Sequence, residues 1–148
     1  MKRLAIIAAL LATPLMGRAD ELASVRSPSG VTLQAALEQG DRLTLAILPD
    51  SDIRLNGRLG VNVEASEDAP VWAGNLPLLL LGGGDYFTEP VLETIHLDPA
   101  ALEEPSIAAV TFGACLPVTG ICVLEEAQLT LSRGSDGGLD LELAMLEP

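Results

Sequence analysis

Along most of this chain apolar and polar residues alternate one for one, instead of recurring at the three-to-four residue spacing of a helix. "VTLQAAL" (31–37) and "RLTLAIL" (42–48) alternate on either side of "EQGD", a hairpin-type turn. In "LGVNVEA" (59–65), Val61 and Val63 share one face while Asn62 and Glu64 share the other. "LPLLLL" (76–81) is a continuous apolar run stopped by three glycines, which predicts a short buried strand. "VLETIHL" (91–97), "IAAVTFGAC" (107–115), "CVLEEAQLTL" (122–131) and "LDLEL" (139–143) complete the pattern. About eight or nine short strands bounded by Gly, Pro, Asp or Asn predict an all-β, immunoglobulin-like antiparallel β-sandwich. "DPAALEE" (98–104) is the one helical candidate, about one turn, with Asp98 as N-cap and Pro99 in the first position. Residues 20–28 are expected to form a loose leader.

The first residues change the picture of where this sandwich works. Met1-Lys2-Arg3, an apolar run from Leu4 to Met16 and the small residues Gly17 and Ala19 describe a secretory signal over residues 1–19, followed by one domain over 20–148. The run falls short of the roughly 20 residues that span a bilayer. Removing the signal takes three of the eight basic residues and no acid. Five arginines then face 21 acids, a net charge of −16. Such a chain repels phosphate backbones and anionic membranes, so nucleic acid is not among the expected partners. The expected product is soluble and periplasmic, in an oxidising compartment where two cysteines are free to pair.

Both cysteines stand in "FGACLPVTGICVLEE" (112–126). Two strand-like runs flank "LPVTG", where Pro117 presets a turn and Gly120 supplies the positive φ that closes a hairpin. Facing residues of an antiparallel pair lie within disulfide range, so Cys115 and Cys122 can bridge the mouth of the loop. Closing so short a loop stabilises by roughly 2.5 kcal/mol, against about 4 kcal/mol or more for a bridge between distant strands. A passive staple is better placed elsewhere, which favours a working pair. No Lys, Arg or His lies within ten residues of either cysteine, while Glu125 and Glu126 follow closely. That arrangement predicts a relay and not a strong oxidant. The spacing is not the CxxC of a thioredoxin site.

"VTFGACLPVTGICV" near the end of a β-rich exported chain resembles the cysteine element of the N-terminal periplasmic domain of DsbD-type thiol:disulfide interchange proteins, the disulfide bond corrector family. The likeness covers about 31–131 in strand pattern and is specific only around the cysteines. It implies a sandwich that accepts electrons from a membrane-embedded thiol carrier. The electrons would pass on to periplasmic thioredoxin-like proteins, among them disulfide isomerases and cytochrome c maturation factors. Activity as a protein-disulfide reductase would follow, with Cys115 and Cys122 as the redox pair. The family's aromatic cap loop is matched by "GDYFTEP", with Asp85 and Phe87 in the Asp and Phe places and Gly82–Gly84 as a hinge. Equally open on the residues themselves is Tyr86 and Phe87 plugging the edge of the core.

No cofactor or metal is expected. His96 is the only histidine and by itself makes neither a zinc nor a copper site, and no GxSxG elbow joins it in a triad. "DSDIRLNG" (50–57) begins like a calcium loop but puts Arg54 where a ligand oxygen belongs. "GSDGGLDLE" (134–142) reads as a turn into the last strand. Glu103-Glu104 and Glu125-Glu126 read as solvated faces. Trp72 is either core or a partner contact. The rival to the relay is a non-catalytic binding or assembly domain with a structural disulfide, on the same fold.

Overall fold

A computed structural model describes residues 19–147. The expected export signal lies outside these residues except for Ala19. The chain is an all-β antiparallel sandwich. Its strands are β1 (Ala19–Arg26), β2 (Val31–Glu38), β3 (Arg42–Pro49), β4 (Arg54–Leu55) and β5 (Val61–Ala65). They continue with β6 (Leu78–Leu80), β7 (Val91–His96), β8 (Ser106–Leu116), β9 (Ile121–Arg133) and β10 (Leu139–Leu146). One sheet runs β1-β2-β3-β7, the other β10-β9-β8-β5-β6, and β4 lies beside the end of β8. Among the described residues no helix is long and apolar enough to cross a membrane.

Alternation places the core. Leu33, Ala35 and Leu37 of β2 and Leu43, Leu45 and Ile47 of β3 point inward and are fully or almost fully buried. From the other sheet Val61, Val63, Ala108, Val110, Phe112, Leu129 and Leu131 meet them. Trp72, carried by a 3-10 turn over Pro70–Trp72, is buried in the core. Its indole N–H donates to Ser106 Oγ at 2.8 Å.

Three expectations change. The expected loose leader is instead strand β1, paired with β2 from Ala19 to Arg26, because β2 would otherwise present a bare edge. The expected single helical turn within 98–104 is a 3-10 turn at Pro99–Ala101, but Asp98 makes no side-chain cap. The run 76–81 does form a strand, β6, but as the sheet's last one. Leu78 and Leu80 turn inward with their partners Val63 and Val61, while Leu79 and Leu81 stay exposed. Continuous hydrophobicity signals two buried faces, and in a two-sheet sandwich a strand packs only one face on the core.

Candidate functional site

β8 pairs with β9 over all of its own length, and the two are joined by the turn Pro117-Val118-Thr119-Gly120, with Leu116 opposite Ile121. Gly120 has φ of +74°, and its N–H donates to Leu116 O at 2.8 Å. The expected hairpin is therefore formed, and Cys115 and Cys122 stand directly across from each other in its last pairs. They are joined as a disulfide, with Cα atoms 4.0 Å apart.

The two sulfur-bearing residues are not equivalent. Inward positions of β8 are Ser106, Ala108, Val110, Phe112 and Ala114, so Cys115 belongs to the outer face of the sheet. It is nevertheless wholly buried, whereas Cys122 is exposed. Beyond Cys115 on the side away from β9 lies β4, whose Arg54 is the register partner of Cys115. Cross-strand neighbours on one face interact directly. A basic residue is thus the register neighbour of the buried cysteine, although none lies near it in sequence. Arg54 is steadied by its own turn, where Nη1 donates to Ser51 O at 2.9 Å and Ile53 O at 3.0 Å.

Asn56, just past β4, is the second neighbour that sequence reading missed. Its Nδ2 lies 3.6 Å from Cys122 Sγ. The backbone of this stretch is held on both sides. Asn56 N–H donates to Gly113 O at 2.9 Å, and Asn56 bridges to Tyr86 across the other edge. The order at this end of the sheet is β9, β8, residues 54–57, then residues 85–87.

That last segment contains the cap-loop candidates. Asp85 O accepts from Gly57 N–H at 2.8 Å, and the Asp85 carboxylate accepts from Arg58 Nε at 2.6 Å. Phe87 N–H donates to Leu55 O, and its half-buried ring packs against the core and near Gly82. Asp85 and Phe87 are thus separated from β8 by the strand that carries Arg54 and Asn56. Of the glycines proposed as a hinge, Gly82 is pinned to Gly57 O by its N–H at 2.9 Å. Gly57 itself has no room for a side chain, since a Cβ there would meet Gly84 O at 2.4 Å. Replacing Gly57 by Ala is expected to pry residues 82–87 from residues 55–57 and cost about 1–3 kcal/mol in urea unfolding. An unchanged midpoint would show that this contact yields.

Exposed apolar side chains lie on both faces of the hairpin, Leu124 on the face of Cys122 and Leu116, Ile121 and Val123 on the opposite one. Leu116, Val118, Ile121, Val123 and Leu124 are exposed on the hairpin, Val118 to 96%. On the outer face, which carries Cys122 and Leu124, Leu59 lies over Gly113, and Leu79 and Leu81 lie over Gly60, all three exposed. Glycine at both positions leaves the sheet without a side chain, so the leucines form a stripe that reaches Leu124, next to Cys122 on that face.

Other sequence candidates fall elsewhere. Glu125 is not on a solvated face: it points inward opposite Phe112, buried, with Oε1 lacking a hydrogen-bond partner. Strand alternation puts its neighbour Glu126 on the outer face instead. His96 is exposed at the end of β7, where its carbonyl accepts from Asn75 Nδ2. Among the described residues no group of three or more His, Cys, Asp or Glu is placed to hold a metal ion. Compared with known proteins, the chain matches no family model, no curated protein and no solved structure.

Proposed function

We propose that this chain is an exported thiol–disulfide exchange protein that relays electrons through Cys115 and Cys122. One observation carries the reading: the disulfide closes an exposed hairpin tip and offers one accessible sulfur at the end of a stripe of exposed leucines. Soluble domains seldom leave so many large apolar groups uncovered without a partner to cover them. The resemblance of residues 110–123 to the disulfide bond corrector family points the same way. The N-terminal signal pattern supplies the compartment, the periplasm.

The chemistry follows from access. A partner thiolate attacks Cys122 Sγ, the bond to Cys115 breaks, and Cys115 leaves as a thiolate. A second thiol of the partner then attacks the mixed disulfide. The partner departs as a disulfide, and this chain holds two thiols, having gained two electrons and two protons. Run in reverse on an oxidised substrate, the same steps pass those electrons on, with Cys122 as nucleophile. Donor and acceptor are both proteins with paired cysteines, a membrane thiol carrier on one side and thioredoxin-like proteins on the other.

The rival, a binding domain with a structural disulfide, draws on the burial of Cys115. Capture separates the two. A Cys115→Ala variant incubated with periplasmic extract is expected to form disulfide-linked complexes that a reductant releases, and its captured partners should carry paired cysteines. If no complexes form, the relay is lost and the rival stands.

A further inference from the structure

The amide of Asn56 is fixed end for end. Its Oδ1 accepts from two backbone N–H groups, those of Arg58 and Leu59, each at 2.9 Å. Only donors face that oxygen, so the NH2 end must turn away from it, and it turns to Cys122 Sγ. The 3.6 Å separation suits sulfur, whose radius exceeds that of oxygen. The main chain reinforces the aim: Gly60 N–H donates to Asn56 O at 3.2 Å, and Asn56 Cβ sits over Gly113, where a Cβ would be only 3.1 Å away. Backbone, turn and floor therefore all point one donor at one sulfur.

A disulfide sulfur is a weak acceptor, and a thiolate is a strong one. The N–H of Asn56 consequently has little to bond in the oxidised protein and a full partner once Cys122 is reduced and ionised. From this difference we infer that Asn56 sets the acidity of the Cys122 thiol, donating through Nδ2 to the thiolate and holding its pKa down. A hydrogen bond to the charged form always favours that form. The consequence rests on the exchange reading above: Asn56 prepares Cys122 as the nucleophile of the reduced protein, standing in for the positive charge that the neighbouring sequence lacks. It touches the reacting atom and takes no part in the transfer of electrons.

The test uses the reduced full chain and iodoacetamide, with alkylation at Cys122 followed by peptide mass against pH. Asn56→Ser keeps an oxygen able to accept from the turn N–H groups but is too short and lacks the amide to reach the sulfur, and it adds no charge. Asn56→Asp keeps the shape and both accepted bonds while replacing the donor by a carboxylate. Both variants are expected to raise the Cys122 pKa, the serine variant by about one unit, a roughly tenfold loss of thiolate at neutral pH. The aspartate variant should raise it further. A serine variant that titrates like the parent overturns the inference, and so does a rise confined to the aspartate variant, which charge repulsion alone would give. No partner protein enters this measurement, so it fails or succeeds independently of capture.

Discussion

With Cys115 replaced by alanine, the remaining Cys122 thiol is expected to react with a small aromatic disulfide about 100-fold faster than Cys115 does in a Cys122→Ser variant. The difference comes from access. Cys115 is wholly buried between β9 and β4, so a reagent reaches it only through local opening, while Cys122 lies open on the outer face. An opening that costs about 3 kcal/mol slows reaction about 100-fold. Serine at 122 matters to the design, since a smaller residue would uncover Cys115. The measurement also fixes the order of attack in the proposed relay, because the sulfur that a small disulfide meets first is the one a partner meets first. Equal rates for the two variants would mean that the hairpin tip breathes freely, and the assignment of Cys122 as the point of attack would fall.

What could be read from sequence was whatever is local. The hairpin that joins the cysteines closes within a few residues, so Pro117 and Gly120 announce it and the pairing of Cys115 with Cys122 follows. The alternating runs gave β2, β3, β5, β7, β8, β9 and β10 within a few residues at either end. The surroundings of the sulfurs were hidden because they come from far along the chain. Arg54 and Asn56 sit in a stretch where β4 has only two residues, too short for any periodicity, and its opening acids suggest a metal loop. Only register against β8 makes these two residues neighbours of the cysteines. No cation lies close to the cysteines in sequence, while the fold makes Arg54 the register partner of Cys115. Glu125 was misplaced for a related reason: its charge argued for solvent, and strand alternation, fixed by Phe112 opposite, decided otherwise. Exposure of Leu79 and Leu81 was likewise a matter of the two-sheet architecture, which no residue in 76–81 encodes.

At the other end of β8 the largest stability effect is expected. Replacing Trp72 by alanine should lower the free energy of unfolding by about 3–5 kcal/mol in a denaturant titration followed by circular dichroism. That is a large part of the 5–15 kcal/mol typical of a domain. Trp72 has the largest side chain among the fully buried residues, and its loss leaves both a void and an unpartnered Ser106 hydroxyl. Trp72→Phe separates the two contributions, since it fills most of the space and removes only the N–H donor, for about 1–3 kcal/mol. Ser106 and Cys115 are nine residues apart on one strand, about 30 Å. A void at one end of so long a strand should leave Cys122 alkylation unchanged as long as the protein stays folded. If Trp72→Ala instead costs under about 1 kcal/mol, the indole is not what holds the sheets together here. If it alters Cys122 reactivity in the folded state, the hairpin tip is coupled to the core, and the independence of site from scaffold assumed in every cysteine experiment above is gone.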